Sequence, residues 1–328
     1  MSLRSLVAMV PLIGVACLTP VRVGGQGRPS SGKTWTPPRT PNGQPDFQGV
    51  WATATLTPLE RPAEFAGKEF LTAQEAAEYE RRTLEQVNTD RRDGPAEADL
   101  RRNYNEFWRD RGTQVVGSRR TSLIVDPPDG RIPPFTAETQ KKRAARAAAQ
   151  RLLSGPEDLA LRIRCITRGL PMVPTPNNNF FRIVQSAGQV LILQEMMYEA
   201  RIIPLDGRPH LNPNVRAYMG DARGHWEGDT LVIDTTNFFG KDDFYGADEN
   251  LHLTERLTRT DADTLLYQFT VNDPTAYTKP WSGEIPMRRN EEGIFDYECH
   301  EGNYSLVDIL SGARALERAA GEGVQKAR

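Results

Sequence analysis

Apolar and polar side chains alternate along much of the C-terminal half of the chain. In the segment 264–271, Leu265, Tyr267, Phe269 and Val271 occupy every second position. Successive side chains of a β-strand point to opposite faces, so this pattern predicts a strand with one buried face. Turn-forming residues separate similar segments, as in antiparallel hairpins. The strands predicted in this way are 46–57, 119–125, 189–198, 200–205, 229–236, 251–260, 264–271 and 295–300.

The N-terminal part follows a helical pattern instead. Thr72 and Glu75 have the spacing of a capping box, which predicts a helix from residue 73 to about residue 90. A second predicted helix, 97–111, carries four large apolar residues at helical spacing, which predicts a packing face. Two further helices are predicted at 136–153 and 306–318.

These patterns predict a mainly β fold (α+β), with an antiparallel sheet and N-terminal helices packed on it. Short antiparallel strands at this spacing are typical of a barrel or a sandwich, and the pattern fits both arrangements. We predict a signal peptide at 1–25, a disordered linker at 26–45, a helical part with one or two strands at 46–160, an antiparallel β domain at 161–318 and a tail at 319–328.

The first residues resemble an export signal. Arg4 precedes an apolar run of about a dozen residues, 6–18, which is too short to span a bilayer. A cleavage site could follow Gly25, which places the mature protein in the periplasm or outside the cell. Lipidation of Cys17 is a minor alternative, as is a buried N-terminal helix. No later segment is apolar enough to cross a membrane.

The charge and composition of the chain limit the classes of partner that it can be expected to bind. The chain of 328 residues has a formal net charge of -2, so it has no overall positive field to attract nucleic acid or anionic lipid. The Ala-, Lys- and Arg-rich segment 136–153 lacks the interleaved aromatic residues that stack on bases. We therefore predict no nucleic-acid partner, and the oligomeric state is left open.

Cleavage after Gly25 would leave two cysteines, Cys165 and Cys299. A pair of cysteines in an oxidising compartment favours a disulfide. Two separate buried thiols are the alternative.

The familiar catalytic motifs are absent from the sequence. It contains no GxGxxG followed by a helix, no Walker A motif, no GxSxG and no HExxH. These absences disfavour nucleotide-binding, α/β-hydrolase and zincin functions. The four histidines include no pair at the local spacing of metal ligands, so we predict no metal and no cofactor.

The richest polar segment is 220–238. On a strand, His225 and Glu227 would share a face, with Trp226 on the other. A carboxylate beside an imidazole can orient it for general acid–base catalysis, and Arg223 could stabilise an anion nearby. The alternative is a meander in which these residues only build turns and Trp226 anchors the core.

Four other residues are candidates for a site. Glu195 lies in an otherwise apolar strand, so it requires a partner or a raised pKa, and Arg182 or Arg201 could pair with it. Asn178 belongs to a run of three asparagines in a proline-rich loop that could cover a barrel mouth. His252 would line a polar pocket, and His300 would approach Arg168 and Glu301 if the two cysteines pair. Solvated or structural roles are the alternatives.

Several long motifs resemble a family of exported bacterial proteins of uncharacterised function. They are RTSLIVDPPDGRIPP at 120–134, IIPLDGRPH at 202–210, RGHWEGDTLVIDTTNF at 223–238 and CHEGNY at 299–304. The resemblance covers about residues 41–317. It implies export and a single structural unit from Pro41 onward, but no activity and no catalytic residues.

Three hypotheses of function follow. The first is binding of a small polar, carbohydrate-like ligand in a pocket of the β domain, lined by Glu195, Arg182, Asn178, His252 and Trp226. The second is a hydrolase or lyase in which His225, Glu227, Arg223 and His300 carry the chemistry. The third is a structural or interaction module of the cell envelope.

Overall fold

The computed structural model describes residues 35–95, 97, 105–149, 153–240 and 245–326. The predicted signal peptide, Cys17 and the first part of the predicted linker lie outside these residues. Ten strands are described: β1 (Gly49–Ala52), β2 (Ile124–Asp126), β3 (Phe180–Gln185), β4 (Gln189–Gln194), β5 (Glu199–Pro204), β6 (Asp221–Glu227), β7 (Thr230–Thr236), β8 (His252–Arg259), β9 (Thr264–Asn272) and β10 (Trp281–Asn290).

The ten strands form one antiparallel sheet, which confirms the predicted fold class. Their order is β5-β4-β3-β1-β10-β9-β8-β7-β6, and β2 pairs with β10 on the same side as β1. The two outermost strands, β5 and β6, lie close to each other, so the sheet curls into a nearly closed barrel. The strands β1 and β2 come from the part of the chain predicted to be mainly helical.

The predicted alternation places apolar side chains inside the barrel. Along β8 and β9, every second side chain is buried, including Leu253, Leu257, Leu265 and Tyr267. The interior is filled by large side chains and is therefore a packed core. Its largest fully buried members are Trp51, Trp281, Tyr267, Phe47, Phe181 and Phe269.

One ion pair lies within this core. Arg201 on β5 and Glu255 on β8 are 4% and 0% exposed as side chains, and Arg201 Nη1 lies 3.1 Å from Glu255 Oε1. Thr235 accepts a hydrogen bond from Arg201, and the Tyr267 hydroxyl donates to Glu255 over 2.8 Å. The pair links strands on both sides of the β5–β6 gap.

Three helices complete the fold: α1 (Ala73–Val87), α2 (Ala137–Ala149) and α3 (Ser305–Lys326). The predicted capping box is present at α1, because Thr72 Oγ1 accepts from the N–H of Glu75 over 3.2 Å and the Glu75 carboxylate accepts from the N–H of Thr72 over 2.9 Å. None of these helices has the combined length and apolar character needed to cross a membrane.

One predicted strand is wrong, and one predicted helix is wrong at its end. Most of the predicted helix 97–111 lies outside the described residues; among those described, Glu97 is helical and Glu106–Trp108 form a short 3-10 helix. Phe107 and Trp108 are 84% and 60% exposed, so they do not form a packing face. The predicted strand 295–300 is irregular, and β10 takes its place in the sheet. β10 contains Gly283 and Pro286, which sequence patterns disfavour in a strand.

The barrel has two different ends. At the loop end, the strands terminate at Ala52, Phe180, Gln194, Glu199, Asp221, Thr236, His252, Asn272 and Trp281. At the hairpin end, short turns join β3 to β4, β6 to β7 and β8 to β9. Left-handed backbone at non-glycine residues is concentrated in segments of the loop end: Cys165, Asn178, Met197, Tyr198, Asn237 and Tyr245. Such conformations are costly and cluster at functional sites, so the loop end is where a site is expected.

Candidate functional site

The segment 167–179 crosses the loop end of the barrel. Its residues Leu170, Met172 and Val173 are buried in the barrel core. The N–H of Met172 donates to the Tyr267 hydroxyl over 3.2 Å, which fixes the segment to β9. The proline-rich loop predicted to cover a barrel mouth therefore does so as a packed plug.

Polar residues beside this segment form a group that we call the mouth cluster: Asp110, Arg168, Asn178, Asn179 and Glu195. The backbone N–H of Asn179 donates to Asp110 Oδ2 over 2.8 Å, and its buried side chain contacts the same carboxylate. Glu195 is only 2% exposed, and its carboxylate accepts from the side chain of Asn178 and from the N–H that follows Asn179. Asn179 thus holds Asp110, and Asn178 contacts both carboxylates, through its backbone to Asp110 and through its side chain to Glu195.

Both carboxyl groups of the mouth cluster have raised pKa values. For Glu195, the main cause is burial, and the charge of Asp110 adds to it. For Asp110, burial raises the pKa more than its hydrogen bonds from Asn178 and Asn179 lower it. Two nearby carboxyls with raised pKa values are a recognised mark of a functional site, although structural networks also produce them.

Arg168 is the third charged member of the mouth cluster. Its guanidinium lies 5.1 Å from the centre of the Phe181 ring, and Nη2 donates to the carbonyl of Val173. Its Nη1 is buried and has no hydrogen-bond partner in the described part of the chain. Burial lowers the pKa of Arg168 to about 10, so the group stays charged at neutral pH. The acids nearby act on it only at longer range, without forming an ion pair among the described residues.

The arginines predicted to pair with Glu195 do not. Arg182 is exposed on the outer face of β3, and Arg201 is inside the barrel with Glu255. Glu195 itself follows the last residue of β4, at the loop end, whereas the prediction placed it within a strand.

His225 and Glu227 do share a face of β6, as predicted. His225 Nε2 lies 3.2 Å from Glu227 Oε1, and Arg256 donates to the other carboxylate oxygen over 2.9 Å. Both contacts lower the pKa of Glu227, and the hydrogen bond from Arg256 has the larger effect. The His225 and Glu227 side chains are 58% and 49% exposed on the outer face near the hairpin end, not in a cleft. Trp226 points inward and packs on Phe47, with ring centres 5.2 Å apart.

Two other predicted residues belong to a polar row on the outer face: Arg223, Asp221, His210, Asp234 and His252. Arg223 donates to Asp221 over 2.6 Å, and Asp221 lies 3.0 Å from His210 Nδ1. His210 Nε2 lies 2.8 Å from Asp234, which also contacts His252. Through His210, the row attaches the segment 205–220 to β6 and β7, so its contacts are those of a structural link. Within the described residues, no group of three or more acidic, histidine or cysteine side chains could hold a metal ion.

The predicted disulfide is confirmed: Cys165 and Cys299 are bonded, with their Cα atoms 5.6 Å apart. It attaches the segment after β10 to the segment that crosses the loop end. His300 is exposed in the turn that follows, and the described contacts do not bring it to Arg168 or Glu301.

Sequence reasoning missed Asp110, and it placed Arg168 near His300 and Glu301 instead of in the mouth cluster. Asp110 lies in RDRG, at the end of the segment predicted as a helix, and Arg168 precedes Gly169 in a stretch with no periodic pattern. The available signal was the asparagine run, because three amides beside a barrel strand require partners.

Comparisons of the chain with protein-family models, with curated proteins and with solved structures give no match. The arguments about function therefore rest on the geometry of the molecule itself.

Proposed function

We propose that the protein binds a small polar ligand with an acidic group at the loop end, through the mouth cluster. One observation carries this proposal: the charged Arg168 has a buried Nη1 without a protein acceptor among the described residues. A buried unsatisfied donor costs about 1–3 kcal/mol, and more when it is charged. An acidic oxygen of a ligand would satisfy it, and such charge-assisted hydrogen bonds are about twice as strong as neutral ones.

The remaining members of the cluster favour a ligand that also carries hydroxyl groups. Asp110 and Glu195 can accept hydrogen bonds from hydroxyls, and their raised pKa values ease the protonated form that donates. Asn178 supplies an amide next to them. A carbohydrate-like acid combines these groups. The disulfide supports an exported location for the protein, because disulfides persist in oxidising compartments.

A second candidate function is acid–base catalysis on such a ligand, as in a hydrolase or lyase. The two carboxyls with raised pKa values favour it, because a higher pKa makes a carboxyl more able to hold the proton that a general acid donates. We place this candidate at Asp110 and Glu195, because His225 and Glu227 lie on an exposed strand face.

Thermal unfolding with three probes tests the proposal: D-glucuronate, D-glucose and succinate. Glucuronate at a hundred times its dissociation constant should stabilise the protein by about 2.7 kcal/mol, a rise of roughly 4 °C for a chain of this size. Glucose lacks the acidic group and succinate lacks the hydroxyls, so we expect smaller shifts from both. The proposal is overturned if none of the three raises the midpoint.

Variants locate the binding. Arg168→Met should abolish the shift, and Glu195→Gln should reduce it while keeping the shape of the side chain. Arg182→Gln is the matched control, because Arg182 lies on the outer face of the same wall of the barrel. Equal loss of the shift in the control and in Arg168→Met would contradict the proposed site.

A further inference from the structure

The segment between β10 and α3 contacts Glu195, the buried acid of the mouth cluster. The backbone N–H of Phe295 donates a hydrogen bond to the Glu195 carboxylate. Phe295 is 61% exposed, whereas Glu195 is 2% exposed. One residue therefore binds the buried acid with its backbone and leaves an apolar ring in solvent beside it.

We call residues 291–304, which contain Phe295, the strap. The strap has neither helix nor strand. Near its start, Asn290 Nδ2 donates to the carbonyl of Gly293 over 3.2 Å. Near its end, Cys299 is bonded to Cys165, whose sulfur lies 3.3 Å from Asn303 Nδ2. A segment fixed in this way has little conformational freedom left to lose on binding, so its ring can contact a ligand at a low entropic cost.

A second exposed aromatic residue follows Glu195 along the chain. Tyr198 is 46% exposed, and its N–H donates to the carbonyl of Glu195 over 3.0 Å. Met197 and Tyr198 both have a left-handed backbone, with φ angles of 67° and 49°. Bulky residues rarely adopt this conformation, and where it occurs it is concentrated at functional sites. No residue of the turn Met196–Tyr198 is buried, so core packing does not explain its backbone.

The two aromatic residues and the acids beside them match the chemistry of a ring-shaped polar ligand. A single exposed apolar residue needs no explanation, but here two are attached to one buried carboxyl. Small-molecule sites combine aromatic side chains with a few polar groups that fix orientation. A pyranose ring has C–H groups on its faces and hydroxyl groups around its edge. Its face can therefore cover an aromatic ring while its edge meets carboxyls and amides.

We propose that the ligand of the mouth cluster is a cyclic sugar acid, a pyranose uronate, and that Phe295 and Tyr198 determine this specificity by packing against the apolar face of its ring. The carboxylate of the ligand binds Arg168, on which the charge of Glu195 acts. This inference rests on the proposed function and adds to it the class of ligand and two residues that recognise it.

Isothermal titration of the whole protein with D-glucuronate and D-gluconate tests this inference. Both probes carry a carboxylate and several hydroxyls, but gluconate is an open chain and has no ring face. Glucuronate should bind about tenfold more tightly, because only its ring face removes aromatic surface from water. Equal affinities would overturn the inference and leave the proposed function standing. Binding of neither probe would overturn the proposed function, and the inference with it.

Aromatic variants locate the preference. Phe295→Ala and Tyr198→Ala should each weaken glucuronate binding by several-fold up to about tenfold and leave gluconate binding nearly unchanged, whereas Phe295→Trp should keep the preference. Tyr304→Ala is the matched control, because Tyr304 is a 75% exposed aromatic residue of the same strap whose carbonyl is bonded to α3. The inference is overturned if Phe295→Ala or Tyr198→Ala keeps the full preference for glucuronate, or if Tyr304→Ala loses as much of it.

Discussion

The buried pair of Arg201 and Glu255 makes a sharp prediction about the stability of the barrel. Substituting Glu255→Gln keeps the size of the side chain but removes its charge. The guanidinium of Arg201, 4% exposed, would then lack a counter-charge, and an amide N–H₂ would face its donors. Breaking a buried ion pair in this way costs about 3–5 kcal/mol.

The double variant Arg201→Met, Glu255→Leu should be less damaging than the single one. It leaves no buried charge, and apolar replacement of a whole buried pair is often neutral. The hydroxyl of Tyr267 loses its acceptor, which costs about 1–3 kcal/mol. Burial raises the pKa of that hydroxyl far above its ordinary value, so it stays a neutral donor in both variants.

Urea unfolding followed by circular dichroism measures these differences. The exposed pair of Arg39 and Asp229, at 43% and 41% exposure, is the control, and Asp229→Asn should cost at most about 1 kcal/mol. The reasoning is refuted if Glu255→Gln costs no more than Asp229→Asn, or if the double variant is less stable than Glu255→Gln.

Three other predictions concern the mouth cluster, the disulfide and the packing of the sheet. Glu195 has a raised pKa in the fold, so its contribution to stability is present below the unfolded pKa of about 4.3 and declines as pH rises through the folded pKa. Glu195→Gln should therefore be more stable than the wild type at pH 8 and nearly as stable as the wild type at pH 4, measured by thermal unfolding at both values. The same difference in stability at both pH values would contradict the burial of this carboxyl. Replacing Cys165 and Cys299 with alanine should lower the free energy of unfolding by about 3–5 kcal/mol, because the bridge closes a loop of 134 residues. Limited proteolysis of this variant should cut the segment after β10 first. An unchanged denaturation midpoint would contradict the stabilising role of the bridge. Gly283→Ala should lower the free energy of unfolding in urea by about 1–3 kcal/mol, because its Cβ would press on the Phe269 ring. Gly188→Ala should lower it less, because there is open space around that position. Equal losses in the two variants would contradict this packing.

The sheet could be predicted largely from the sequence, since alternation is a local signal. Segments such as 251–260 and 264–271 appear in the structure within two residues of their predicted bounds. β10 was missed because Gly283 and Pro286 weaken its pattern, although pairing with β9, β1 and β2 holds it as a strand. The sequence did not decide between a barrel and a sandwich, because β5 and β6 are distant in the sheet order and only the tertiary fold brings them together.

The candidate site was less predictable, because its parts come from distant segments. Glu195 and Asn178 stood out locally, the first as a carboxylate beside apolar residues and the second in a run of amides. Asp110 lies 69 residues from Asn179, its main partner, and no spacing rule links them. His225 and Glu227 met the local rule for an acid–base pair, yet that rule carries no information on whether a strand face is covered.

Hydrogen–deuterium exchange with and without D-glucuronate tests the central claim most directly, because the competing sites lie at opposite ends of the barrel. Asp221 at the loop end and Glu227 at the hairpin end are the two ends of β6, and the length of this strand places them roughly 20 Å apart. Binding at the mouth cluster should slow exchange in the segments 167–180 and 195–199 and leave 223–230 unchanged. Protection confined to 223–230 would contradict the account and return the site to His225 and Glu227.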